Sequence, residues 1–360
     1  MTGFSDELLR AALADAAGTV RPEELRPLPA PSRRGRPFAL PLAGLVAATA
    51  AAVAAVVLVA PWAQHGRDGA PPRYALASYA GAEYVLDGAW PPGGETVTVR
   101  RSDTGRPVAT VPAPAGSGGF RDSADSGDNR TFVLTTADPG ACEIDFYRLT
   151  LGTDGRPEGP PARLRGAGLR QRMGEGPEQL AVSPGARRIA YAGSECGGEP
   201  AGGTITVVDP STGDRRVTRL PPRAFANSLH WAPNGRDLVF ETAGDYRDRG
   251  LSTLDTETGK MSEIRLEAGG ATLLGAAFDK DGTHIVALVR GGDRNRVVWY
   301  ATATKTITRR VELPPSAPEA PTDFTAYGDR VVAMIGDQVH VVTGTKVVTD
   351  RIGEDGRPLP

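Results

Sequence analysis

The sequence predicts an all-β protein: a β-propeller of six blades, with seven as the competing count, preceded by one transmembrane α-helix. Three observations predict it. A stretch of about a dozen residues recurs, as LAVSPGARRIAYAG at 180–193, LHWAPNGRDLVFET at 229–242 and AAFDKDGTHIVALV at 276–289. Each copy is an apolar pair, a turn of Pro, Gly, Asn or Asp, then a run of β-formers, which is the chemistry of a hairpin. A second turn of D-x-x-T-G type follows at Gly105, Gly155, Gly213 and Gly259, so each unit of about forty-five residues holds four antiparallel strands. Finally, no charged residue occurs between Pro37 and Gln64.

Composition narrows the function classes. The formal net charge of −2 over 360 residues gives no electrostatic reason to expect nucleic acid. The 45 glycines and 31 prolines mark a turn-rich chain, yet the strand runs between turns are too well formed for disorder. Only four basic residues are lysine, Lys260, Lys280, Lys305 and Lys346, a bias that fits a GC-rich bacterial genome.

In chain order, residues 1–37 are a cytoplasmic tail. Ser5-Asp6-Glu7 places a cap and two acids at a helix start, and Leu9, Ala12, Leu13 and Ala16 share a face; five prolines from Pro22 to Pro37 keep the rest extended. Residues 38–62 are long enough to cross ~30 Å of hydrocarbon as a helix. Arg33, Arg34 and Arg36 precede the span, while Arg67 and Asp68 after it nearly cancel, which puts the N-terminus in the cytoplasm and everything after Trp62 outside. A cleaved signal peptide is the competing reading. The long leader and the lack of a clean A-x-A site after the apolar core favour an uncleaved anchor. The expected location is therefore the plasma membrane, single-pass, with the C-terminal domain extracytoplasmic. Residues 63–73 form a linker, 74–354 the propeller and 355–360 a tail.

Six units follow: 74–111, 120–165, 176–220, 225–267, 272–313 and 323–350. The strands after the hairpin turns begin at Phe132, Ile189, Leu238, Ile285 and Val331. The first and last units are expected to be incomplete, each end completing the other to close the ring and leave no free strand edge. Leu251–Leu254 is the weakest strand before a second turn.

The pattern [AS]-P-x-G-x-x-[IL]-x-[FY] followed by V-V-D-x-x-T-G resembles the WD40-like repeats of TolB-type propellers. It is carried by Ser183-Pro184, Ala232-Pro233, Asn234-Gly235, Asp281-Gly282, Asp209 with Gly213, and Asp255 with Gly259. With leader and anchor, the chain resembles the single-pass WD40-like membrane proteins of actinobacteria. The resemblance implies fold and not activity, since the matching residues build turns. The Trp-Asp ending and Gly-His of true WD40 repeats are absent, so their Asp-His network is not implied.

Cys142 and Cys196 fall in the loops between second and third strands of units two and three. Equivalent loops of adjacent blades are neighbours, so a disulfide is the expected reading outside the membrane. A metal or catalytic thiol pair would want a nearby His or a C-x-x-C, and neither occurs. No G-x-S-x-G, H-E-x-x-H or phosphate loop is present, so no catalytic residue, cofactor or metal is expected. His65, His230, His284 and His340 occupy different registers and would not converge. The run Arg121–Asp128 has its acids three apart, unlike an EF-hand loop, and reads as a solvated hairpin turn.

The loops 137–143, 193–203, 243–250 and 291–296 are long and polar, and blade topology puts them on one face. They carry Glu195, Glu199, Asp245, Tyr246, Arg247, Asp248, Arg249, Asp293, Arg294 and Arg296, the candidate binding face. The expected function is a binding, scaffold or sensor module without catalysis, whose partner is a protein, peptide or glycan of the cell envelope. A transmembrane regulator whose tail docks a transcription factor, and an envelope hydrolase or lyase on the propeller, are the alternatives.

Overall fold

In the computed structural model, residues 81–351 are described apart from 88–93, 139–141, 174–178, 197–201, 244–248, 267–270, 293, 316–321 and 328–329. The described residues all fall within one compact unit, Gly66–Pro360. The expected tail, membrane span and linker lie outside the described residues, among which no helix is long and apolar enough to cross a membrane.

The described strands form six antiparallel sheets in chain order, and the protein is a six-bladed β-propeller. Blade 1 holds β1 (Tyr84–Asp87), β2 (Thr96–Arg101) and β3 (Pro107–Pro112). Blade 2 holds β4 (Phe120–Asp125), β5 (Thr131–Asp138), β6 (Glu143–Thr150) and the short β7 (Ala162–Arg163). In blade 3 the inner strand is split into β8 (Gln171–Met173) and β9 (Leu180–Val182), both paired to β10 (Ile189–Glu195), with β11 (Thr204–Val208) and β12 (Arg215–Arg219) outside. Blade 4 is β13 (Phe225–Trp231), β14 (Asp237–Ala243), β15 (Arg249–Asp255) and β16 (Lys260–Ile264). Blade 5 is β17 (Thr272–Phe278), β18 (His284–Gly291), β19 (Arg294–Ala301) and β20 (Thr306–Glu312). Blade 6 is β21 (Thr322–Tyr327), β22 (Arg330–Ile335), β23 (Gln338–Thr343) and β24 (Lys346–Arg351).

One expectation is corrected. Blade 6 is complete with its own four strands and is not half of a blade shared by the chain ends. In blade 1 the Gly105 turn lies between β2 and β3, so the three described strands are the second, third and fourth of a blade; residues 74–80 lie outside the described residues. The weak stretch Leu251–Leu254 sits in a full seven-residue strand, because β15 pairs in register with both β14 and β16. Tertiary pairing outweighs its low intrinsic β-propensity.

The repeat glycines serve the turns: Gly105, Gly155, Gly213 and Gly259 have φ between 64° and 81°, a region other residues enter only with strain. In blade 3 the second and third strands, β10 and β11, are buried on both faces, whereas the outermost strand, β12, is largely exposed. Five apolar clusters fill the seams between blades 1 and 2, 2 and 3, 3 and 4, 4 and 5, and 5 and 6. Alternation along each strand makes this possible, since one parity of side chains feeds one seam and the other parity the next. In β14, Leu238 and Phe240 join the cluster with blade 3, while Val239 joins that with blade 5.

Inner strands break this regularity. The register shifts between Phe120 and Asp122 in β4, between Asn227 and His230 in β13, and between Leu273 and Gly275 in β17; β21 is regular. Such bulges re-aim side chains on an edge strand.

Candidate functional site at the seam of blades 2 and 3

The loops expected to form the binding face do connect second to third strands, and Cys142 and Cys196 confirm that two of them are neighbours. The cysteines form a disulfide with a Cα–Cα distance of 6.3 Å, joining the β5–β6 loop of blade 2 to the β10–β11 loop of blade 3. Of the candidate residues, Glu199, Asp245, Tyr246, Arg247, Asp248 and Asp293 lie outside the described residues, as does the side chain of Arg249. Glu195 pairs with Arg219 of its own blade at 2.8 Å, and Arg296 with Glu312 of its own blade at 3.4 Å. Arg294 is exposed.

Beneath the disulfide the structure assembles a group that sequence reading placed elsewhere. The Arg121–Asp128 run is not one solvated turn. Arg121 to Asp125 lie on β4, the innermost strand of blade 2, half-buried, and only the residues after Asp125 make the turn. Inner strands of the other blades carry at most one charged residue each, Arg172 on β8 and Asp323 on β21, whereas β4 carries three, Arg121, Asp122 and Asp125.

Each acid has a defined task. Asp122 Oδ2 accepts from the backbone N–H groups of Gln179 and Leu180 at 3.1 and 3.2 Å, stitching β4 to the split inner strand of blade 3. Asp125 accepts the Asn129 N–H at 3.1 Å, and burial, reinforced by the charge of Asp128, pushes its carboxyl up to about 6. Burial acts to raise Asp128 too, but N–H bonds from Thr131 and Arg130 outweigh it and hold its carboxyl low. Asn129, at φ 56°, accepts from Glu83 and Tyr84 N–H at 2.6 and 2.7 Å and donates to Tyr84 O at 2.8 Å, pinning β1 to blade 2.

On the blade 3 side of the seam, Tyr191 is fully buried and meets Phe146 edge-on, with centroids 5.8 Å apart. Burial pushes its phenol up; the charge of Asp122 adds to this and that of Arg121 opposes it. Gln171 on β8 reaches past β10 to donate to Thr204 Oγ1 (3.0 Å) and Thr206 Oγ1 (2.6 Å) on β11. Thr135, Gln171, Gln179, Thr204 and Thr206 are all buried. Two of their atoms, Thr135 Oγ1 and Gln171 Oε1, are sealed from solvent without a partner, as is Nε of Arg121.

No family model matches the chain, and neither does any curated protein. Solved structures do resemble it. TolB from Acinetobacter baumannii is similar over 76% of this chain at 16% identity, with a TM-score of 0.48; the chain spans 61% of that protein's length. The hydrazine synthase of Kuenenia stuttgartiensis (14% identity, TM-score 0.47) is similar over 69% of this chain and 71% of that one. A nidogen/laminin complex (15% identity, TM-score 0.48) is similar over 74% and 91%. The propeller assignment rests on the chain's own six sheets.

Other clusters are accounted for by folding. His284 Nδ1 lies 3.0 Å from Asp279 within the blade 5 turn. His340 is fully buried, bonded through Nδ1 to Thr349, and burial pushes its imidazole down. Arg236 bridges Asp255 and Glu257 across two turns of blade 4. Among the described residues, no group of three or more His, Cys, Asp or Glu is placed to hold a metal ion.

Proposed function

We propose that the chain is a single-pass membrane protein of an actinobacterial envelope, with its N-terminus in the cytoplasm. Its extracytoplasmic propeller binds a protein, peptide or glycan and performs no chemistry. The observation that carries this reading is the Cys142–Cys196 disulfide between loops of neighbouring blades. Disulfides persist in oxidising compartments, and a rigid scaffold with a covalently tied loop face is a binding architecture. The apolar stretch 38–62, with Arg33, Arg34 and Arg36 before it and the nearly cancelling Arg67 and Asp68 after it, supports the anchor and its orientation.

Two measurements test the reading. A membrane-impermeant maleimide applied to intact cells should label the cysteines only after reduction; labelling that requires lysis contradicts the orientation. A photo-crosslinker at Arg294 should trap an envelope partner in the full-length protein, and a turnover assay on envelope glycans and peptides should stay flat. Catalytic turnover, or no crosslink at Arg294 or Glu195, contradicts the module reading.

A further inference from the structure

The binding reading names no ligand chemistry, and Arg121 supplies one. Among the described residues it has no hydrogen-bond or ion-pair partner, yet it is half-buried and its Nε is sealed from solvent. A guanidinium drawn partly out of water without a counter-ion is unfavourable, and the loss is recovered when an anion completes the pair. The neighbouring arginines differ: Arg130 pairs with Glu83 at 2.6 Å and Arg163 with Asp145 at 2.6 Å. The adjacent carboxylate, Asp122, accepts across the seam from Gln179 and Leu180.

Position adds a second line. Arg121 is the extra residue of the β4 bulge, on the edge strand nearest the propeller axis. Phe120 beside it begins the strand, so Arg121 lies at the end from which β4 enters the blade. The β5–β6 loop with Cys142 emerges at that same end, because β5 runs antiparallel to β4. Thr135, whose Oγ1 has no partner, pairs with Asp122 across the β4–β5 ladder; Gln171, whose Oε1 has none, pairs with Glu195 next to Cys196. Three unpartnered polar atoms thus collect at one end of one seam, under the disulfide.

We infer that the loop-face end of the blade 2–3 seam binds a small carboxylate, held by the guanidinium of Arg121. The planar fork of arginine matches a carboxylate through two parallel N–H···O bonds. A phosphate dianion is disfavoured, because Asp122 and Asp125 make the described charge of β4 net negative. The inference deepens the binding-module reading and rests on it.

The experiment is a calorimetric titration of the full-length protein in detergent with acetate, N-acetylglycine, N-acetylglycinamide and inorganic phosphate. Acetate and N-acetylglycine should bind saturably, and the uncharged amide and phosphate weakly or not at all. Arg121→Gln should weaken N-acetylglycine at least about tenfold, and Arg121→Lys should fall between, since it keeps the charge and loses the fork. Circular dichroism and unfolding midpoints without ligand check that the variants fold. Equal affinity in wild type and Arg121→Gln, or no saturable binding of any carboxylate, overturns the inference. The module reading fails separately: if the Arg294 crosslink is absent in wild type, that reading falls, whereas a crosslink with no carboxylate binding removes this inference alone.

Discussion

The seam between blades 2 and 3 and the seam between blades 4 and 5 are built from the same repeat and filled differently. Blades 4 and 5 meet through thirteen buried apolar side chains, among them Leu251, Leu273, Phe278, Ile285 and Val298; Glu241 is the buried polar residue described on that face. Blades 2 and 3 have an apolar centre too, with Phe146, Ile189 and Tyr191, but five buried polar residues line the rest and a disulfide closes the end. The hydrophobic effect needs no partner geometry, so an apolar seam holds wherever areas match. A polar seam holds only where each donor meets an acceptor, and here Thr135 Oγ1 and Gln171 Oε1 do not. The covalent clamp sits at the seam that holds these two unpartnered atoms.

That contrast can be broken in order of effect. Replacing both cysteines by serine should lower stability by ~4 kcal/mol on the chain-entropy model for a separation of 54 residues, read as a drop in denaturant midpoint. No loss would mean that the seam closes without the clamp.

The second test is pH. Folded Asp125 keeps its proton to about 6, whereas an unperturbed carboxyl releases it near 3.8, so between these values the folded state binds more protons than the unfolded. Stability should therefore fall as pH rises through that window, and Asp125→Asn should flatten the slope. A slope of opposite sign, or one unchanged in the variant, removes the assigned burial of Asp125.

A smaller loss is expected in an apolar seam. A Cβ on Gly275 would meet Cβ of Phe324 at 2.6 Å, so Gly275→Ala should cost ~1–3 kcal/mol through overpacking between blades 5 and 6. The smallest effect has the opposite sign. Thr135→Val removes a buried hydroxyl with no partner at constant shape, and should stabilise by ~1 kcal/mol. A loss instead would show that an ordered water satisfies the hydroxyl.

The contrast also marks how far the chain could be read from its residues. The repeat was legible because its turn residues answer to local backbone geometry: Gly213 at φ 81° is demanded by its own turn, whichever blade it joins. Adding two registers located the second-to-third-strand loops, and with them the Cys142–Cys196 pair. The polar seam was not legible. Gln171 reaches Thr204 and Thr206 across an intervening strand, 33 and 35 residues away in sequence, and no local pattern encodes that. Arg121–Asp125 looked like a turn because its composition is turn-like. A charged run can still occupy an inner strand when Asp122 and Asp125 find backbone donors there. Reading the run against the first hairpin register would have shown the clue, since Phe132 begins the next strand and the turn must end just before it.

The most direct measurement is amide hydrogen exchange on the full-length protein, oxidised and reduced. The account predicts that reduction lowers protection in β5, β6, β10 and β11 while β14, β15, β18 and β19 keep theirs, because only the first seam depends on the clamp. Protection lost evenly across all blades, or unchanged in blades 2 and 3, would contradict it.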